Sequence, residues 1–155
     1  MDAETTTLPE VSGEHLPYKP SLAQILRAEA FLAQNPAPLP DAVHHFAQGM
    51  YARELTIPAD WYITGKTHSK EHIFIVLSGD ITVWTEQGMQ RVGAGFMTVG
   101  KPGTKRIAHA HSETRCIAIS ENPSNTHDLE KLEAEIIQPE VSLESLESRT
   151  LEIVP

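Results

Sequence analysis

The chain has 155 residues, of which 40% are hydrophobic, and its formal net charge is −9 at pH 7. The length suits one domain with a buried core, and the acidic balance argues against nucleic acid or a membrane surface as a partner. A single cysteine, Cys116, excludes an intramolecular disulfide. Because that cysteine usage suits a reducing compartment, and neither a signal peptide nor a membrane-spanning apolar run is recognisable, we expect a cytoplasmic protein.

The first third of the chain is predicted to contain an extended arm and a helix. Residues 1–20 are polar and contain three prolines, which favours an extended N-terminal arm. Ser21 and Gln24 have the spacing of a capping box, and apolar residues at helical intervals follow them. We therefore predict a helix over residues 22–34, ended by the Asn35-Pro36 step.

Residues 43–120 are predicted to form the body of the domain. Short apolar segments alternate there with glycine and proline turns, which is typical of a mainly β protein built from about eight antiparallel strands in a jelly roll. Within residues 50–57, alternate side chains share one face, and that face contains Tyr51 and Arg53. Residues 96–99 and 106–110 are predicted to pair with each other around an intervening Pro-Gly turn.

The last part of the chain is predicted to be a short helix and an acidic tail. The helix is expected over residues 128–137, capped by Asn125 or Thr126. From residue 126 onward there are eight acidic and two basic residues. The predicted organisation is thus an arm (1–20), a barrel domain with flanking helices (21–137) and an acidic amphipathic tail (138–155). The tail has regularly spaced apolar residues, Val141, Leu143, Leu146, Leu151 and Ile153. Since so short a segment cannot bury these alone, we predict a homo-oligomer, a dimer or higher, with the tail in part of its interface.

Two glycine-anchored segments carry a family resemblance. Residues 65–79 read GKTHSKEHIFIVLSG, and residues 95–106 read GFMTVGKPGTKR. These segments resemble the two signatures of the cupin family. The resemblance implies a cupin-type double-stranded β-helix, a jelly-roll barrel, with one N-terminal and one C-terminal helix and extended terminal arms.

The same resemblance assigns four residues to a site at one end of the barrel. Counting back from Gly79 places Lys66 and His68 where the family has two histidine ligands, and His72 where it has a glutamate. Arg106 stands at the position of the histidine in the second signature. The resemblance therefore implies that these four side chains converge as a ligand-binding site whose usual metal ligands are partly replaced.

The residues at these positions leave three interpretations open. His68 and His72, with Glu71, could hold a divalent metal such as Fe, Mn, Ni or Zn. Lys66 and Arg106 place positive charge beside such a metal, and that charge suits a carboxylate or phosphate better. The third interpretation is a polar core that is satisfied structurally and binds nothing.

A longer combination of motifs, over residues 43–137, is similar to small cupin-like proteins encoded by tailed bacteriophages and prophages. It includes Tyr-Ala-Arg-Glu, Gly-Asp-Ile-Thr-Val and Pro-Gly-Thr-Lys-Arg. The phage resemblance by itself implies little about function. Together with the predicted N-terminal arm and C-terminal tail, it favours a phage-encoded structural or interaction protein, associated with the virion or its assembly, whose partners are other phage structural proteins. The alternatives are a module that binds a small anionic ligand and a metal-dependent cupin enzyme, an isomerase or oxygenase.

Overall fold

The computed structural model describes residues 18–146 of the chain. Most of the predicted N-terminal arm and the end of the predicted tail, including Leu151 and Ile153, lie outside the described residues. Two helices flank a β-structure in the part that is described. They are α1 (Leu22–Leu32) and α2 (Leu129–Ile136).

The β-structure consists of two antiparallel sheets. Its strands are β1 (Val43–Ala47), β2 (Met50–Ile57), β3 (Tyr62–Thr64), β4 (His72–Ser78), β5 (Asp80–Thr85), β6 (Gly88–Gly93), β7 (Met97–Gly100), β8 (Ile107–Ala110) and β9 (Thr114–Glu121). The five-stranded sheet has the order β1-β2-β9-β4-β7, and the four-stranded sheet has the order β3-β8-β5-β6.

The strand order confirms the predicted jelly-roll fold. Strands pair as β2 with β9, β3 with β8, β4 with β7, and β5 with β6. This is the pairing of one long hairpin wound into a barrel, so early strands meet late ones. The predicted pairing of residues 96–99 with 106–110 is wrong, because β7 pairs with β4 while β8 lies in the other sheet. The Pro-Gly turn between them therefore carries the chain from one sheet to the other.

Alternate side chains of both sheets meet in the barrel interior. Its fully buried part includes Ile57, Val76, Ile81 and Cys116. Burial raises the pKa of the Cys116 thiol to about 11, so this cysteine is a protonated core residue. Along each strand, the residues between these inward positions lie on the outer face of the barrel.

Helix α1 begins as the sequence predicts. The Ser21 hydroxyl accepts a hydrogen bond from the Gln24 amide at 3.2 Å, and the Gln24 side chain accepts one from the Ser21 amide at 2.8 Å. The helix ends at Leu32, two residues earlier than predicted.

The cap of α2 differs from the prediction. Asp128, rather than Asn125 or Thr126, accepts hydrogen bonds from the first free amides of the helix. Asn125 instead has a left-handed φ of 50°, and the Asn122 side chain bonds the backbone of Thr126. Among residues 18–146, no helix is long and apolar enough to cross a membrane.

Candidate ligand-binding site

A cavity of about 150 Å³ lies between the two sheets, at the end of the barrel that α2 covers. Most of its wall is apolar and includes Leu55, Phe74, Ile81 and Val83. The polar part of the wall is mainly basic and consists of Arg53, Lys66, His68, His72 and Arg106, together with Ser120 and Glu133. The four residues that the family resemblance assigned to a site thus line one cavity, and Arg53 joins them.

Arg53 reaches the cavity because of the register of the five-stranded sheet. On β2 it lies opposite Ala118 of β9, and Ala118 lies opposite Phe74 of β4, so the three form one row across the inner face. Strand alternation predicted that Arg53 shares a face with Tyr51, but the family resemblance did not assign Arg53 to the site. The available signal was a charged residue on a strand face that is otherwise apolar.

His68 and His72 form a stacked pair. Their ring centroids are 3.8 Å apart, and the ring planes differ by 21°. His68 is positioned in the loop before β4 by a backbone bridge to Ile137, whereas His72 opens β4 and is 7% exposed.

Burial decides the charge of this pair. Burial makes the largest contribution, and together with the neighbouring His68 and Arg106 it lowers the pKa of His72 to about 4. Burial also lowers the pKa of His68. Because a buried imidazole next to positive charge favours its neutral form, the pair is mainly neutral at pH 7.

The two arginines of the cavity have few partners among the described residues. Burial lowers the pKa of Arg106, but a guanidinium stays protonated in proteins. Its Cζ lies 5.7 Å from the centre of the Trp84 ring, and its Nε is buried without a hydrogen-bond partner among residues 18–146. Within the same described range, neither Arg53 nor Arg106 forms an ion pair with a carboxylate. The cavity therefore holds two guanidinium groups without an ion-pair partner among the described residues, although the charge of Glu86 stabilises the protonated form of Arg106.

Lys66 lines the cavity but is paired with an acidic side chain, and Glu71 lies outside the cavity. The Lys66 ammonium lies 2.7 Å from a carboxylate oxygen of Glu133 on α2, so its charge is already paired. Glu71 precedes the inward-facing His72, is exposed, and lies 3.5 Å from Lys101. It is not part of the cavity wall, which corrects the expectation that Glu71 could join the two histidines around a metal.

The histidine pair does not fit a divalent metal. Among residues 18–146, no three His, Cys, Asp or Glu side chains are grouped to hold such an ion. Because the rings are stacked, their in-plane lone pairs run nearly parallel and do not converge on one point. Metals such as Zn²⁺ take three or four protein ligands, and two nearby guanidinium groups would oppose a cation.

Helix α2 and the residues after it form the wall at this end of the cavity. The Ser69 amide donates to the Ile136 carbonyl, and the Gln138 amide donates to the Thr67 carbonyl, both at 2.8 Å. With the ion pair from Lys66, these bonds fasten α2 to the loop that carries His68.

Several solved structures are similar to this chain. KdgF from Halomonas sp. is 15% identical, with 59% of this chain and 89% of that chain covered and a TM-score of 0.49. An RmlC-like cupin from Shewanella frigidimarina is 12% identical, with 60% and 87% covered and a TM-score of 0.47. Salicylate 1,2-dioxygenase from Pseudoaminobacter salicylatoxidans is 12% identical, with 70% and 32% covered and a TM-score of 0.49.

At these identities and scores, the likeness carries no argument about function, and the fold assignment rests on the strand pairing described above. No protein-family model matches the chain, and no curated protein matches it in sequence.

Proposed function

We propose that this barrel is a binding module for a small organic anion, a carboxylate with an apolar body. The observation that supports it best is the pair of guanidinium groups, Arg53 and Arg106, which line a largely apolar cavity and form no ion pair with a carboxylate of the described residues. A buried charge without a partner is costly. A guanidinium pairs with a carboxylate through parallel hydrogen bonds, so such a ligand supplies the missing partner.

The size and the lining of the cavity limit the ligand. A cavity of roughly 150 Å³ can hold a molecule of the size of benzene, and the volume here is about 150 Å³. Nucleotides and oligosaccharides exceed that volume. The aliphatic and aromatic wall favours a short-chain or single-ring carboxylate over an inorganic anion, because an apolar body gains from leaving water.

The stacked histidines give such a site a dependence on pH. A bound carboxylate favours the protonated form of His68 or His72, so the complex holds more protons than the free protein. Affinity should therefore increase as the pH falls from 7.5 to 5.5. The increase ends where the ligand itself is protonated.

Calorimetric titration with benzoate and hexanoate, and with benzamide and hexanamide as neutral matches, tests the proposal. We expect heat of binding from the carboxylates and little from the amides. Arg53→Gln and Arg106→Gln should each weaken carboxylate binding by about 10- to 100-fold, the loss of one charge-assisted interaction. Arg115→Gln is the matched control, since Arg115 is on the same sheet but pairs outside with Glu54.

Equal binding of amides and carboxylates would contradict the proposal. So would undiminished affinity in both cavity variants. Absence of binding by all four compounds, in protein shown to be folded, would favour the structurally satisfied core instead.

A structural or assembly role in a tailed phage stays a prediction from the sequence resemblance. The features that favour it, the arm and the tail, fall largely outside residues 18–146. Neighbouring genes for capsid or tail proteins would support this role. Neighbouring genes for enzymes of small-molecule metabolism would favour the binding module alone.

A further inference from the structure

The outer face of the five-stranded sheet carries a continuous hydrophobic surface, separate from the cavity. Several of its side chains are well exposed, with Met97 at 63% and Val99 at 49%. We call this surface the aliphatic face. It consists of Ile73, Ile75 and Leu77 on β4, Met97 and Val99 on β7, and Ile117 and Ile119 on β9.

The strand register makes the aliphatic face continuous. Ile73 lies between Val99 and Ile119 across the sheet. One step along, Ile75 lies between Met97 and Ile117 in the same way. Side chains directly opposite each other on neighbouring strands are in contact range. The result is a flat grid, three strands wide, with only aliphatic side chains in it.

The charged residues at the border of the aliphatic face are paired within the chain. At one end the Glu71 carboxylate lies 3.5 Å from the Lys101 ammonium, and Lys70 lies 3.2 Å from Glu121. On the β2 side, the Arg115 guanidinium donates to the Glu54 carboxylate. The border is therefore locally neutral, although the whole chain carries a net charge of −9.

This charge distribution selects the kind of partner. A flat, neutral face offers nothing to a nucleic acid or to a strongly charged peptide. Two copies of an acidic chain repel each other over most of their surfaces, but not where these neutral faces meet. A second copy also supplies an equally flat and apolar sheet, and self-complementary faces are what a twofold dimer requires.

The available area is adequate for a dimer when its rim takes part. With strands about 4.8 Å apart and about 3.4 Å per residue, the aliphatic face on three strands measures roughly 14 by 17 Å, and the whole outer face of the five-stranded sheet, with its paired rim, measures roughly 24 by 20 Å. That is about 500 Å² in projection, and a standard interface buries about 800 Å² of accessible surface on each partner. The accessible surface of protruding side chains exceeds their projection, so the sheet and its paired rim approach that size.

We infer that the protein is a homodimer in which two aliphatic faces pack against each other around a twofold axis. The contact is sheet on sheet, with the backbones about 10 Å apart, as in the two layers of a β-sandwich. This interface leaves the cavity and α2 free, so dimerisation and ligand binding are independent.

The test uses the full-length chain in sedimentation velocity and light scattering between 2 and 200 µM. We expect a dimer for the wild type and for Phe31→Lys, a control on α1 whose side chain is 72% exposed. Met97→Lys and Val99→Lys, both on the edge strand β7, should be folded monomers, with dissociation constants at least 30-fold higher. Circular dichroism and thermal unfolding verify that the variants are folded.

A second measurement needs no variant. Peroxide oxidation of Met97, followed by mass spectrometry, should be several-fold slower at 200 µM than at 2 µM, because the dimer covers this side chain. A monomeric wild type at 200 µM would overturn the inference. So would lysine variants that stay dimeric, or a Met97 oxidation rate that does not depend on concentration. Truncation after residue 139 distinguishes the tail: if it alone dissociates the dimer while Met97→Lys does not, the tail forms the interface.

Discussion

The imidazole of His72 lies against the backbone of Gly100, in the space that a side chain at residue 100 would need. The two residues are directly paired across β4 and β7, and a Cβ built on Gly100 would overlap the ring. Glycine is thus required here for close approach. The contact fixes the ring that stacks on His68, so Gly100 helps to shape the cavity without lining it.

Replacing this glycine should disturb the site. We expect Gly100→Ala to displace His72 and to lower the free energy of unfolding by about 1–3 kcal/mol, the usual cost of overpacking. Gly65→Ala is the control, since a Cβ there meets nothing within 4 Å. Chemical denaturation measures both variants. Equal stability of the two would show that the His72 ring moves without cost.

The stability of the protein should depend on pH through His72. Its pKa is lowered from 6.5 to about 4 by burial, so between these values the unfolded chain binds more protons than the folded one. The free energy of unfolding should be highest above pH 6.5 and fall by about 3 kcal/mol as the pH reaches 4. His68, whose pKa burial also lowers, acts in the same direction. Urea denaturation between pH 7.5 and 4 measures the effect. In the variant His72→Leu, the free energy of unfolding should depend less steeply on pH. The control His127→Gln, which changes an exposed ring, should keep the slope of the wild type. Equal slopes in all three proteins would refute the role of His72 in this pH dependence.

Arg53 should reduce stability in the absence of a ligand. Since it has no described carboxylate partner and lies in an apolar wall, we expect Arg53→Met to raise the free energy of unfolding by about 1 kcal/mol while carboxylate binding is lost. Arg115→Met removes an exposed pair with Glu54 and should change stability by less than about 1 kcal/mol. Thermal and chemical denaturation give both values. A clear loss of stability in Arg53→Met would instead indicate that this arginine is a satisfied structural residue.

The buried Lys105 should contribute more to the stability of the fold than an exposed lysine such as Lys70. Its side chain is 4% exposed and lies 2.7 Å from Glu29 of α1 and 3.0 Å from Glu140. We expect Lys105→Ala to cost about 2–4 kcal/mol, because two carboxylates lose their shared cation. Lys70→Ala breaks a half-exposed pair and should cost less than about 1 kcal/mol. Similar losses in the two variants would show that burial adds nothing to the Lys105 contacts.

The sequence by itself determined the class of fold and identified His68 and His72 as candidate site residues. Glycines that adopt a positive φ, such as Gly79 and Gly95, mark turns beside the strands. Between these turns, the alternation of side chains along each strand determines which residues share a face. These signals are local in the chain, so they predict the strands and turns. The placement of His68 and His72 at one end of a jelly roll came from the resemblance to the cupin signatures. The same locality made the capping box of α1 predictable.

Only the tertiary structure decided which strands meet and what the shared faces contain. A local turn signal suggested that residues 96–99 pair with 106–110, but the winding of the jelly roll joins strands far apart in sequence. Whether Arg53 lies in a cavity or on the surface depends on which face of β2 the second sheet covers. The pairing of Lys66 with Glu133 depends on where α2 packs, and the exposure of the aliphatic face depends on which sheet face the elements within residues 18–146 leave uncovered. Burial is a property of the whole fold, and alternation within one strand specifies two faces without stating which of them is inside.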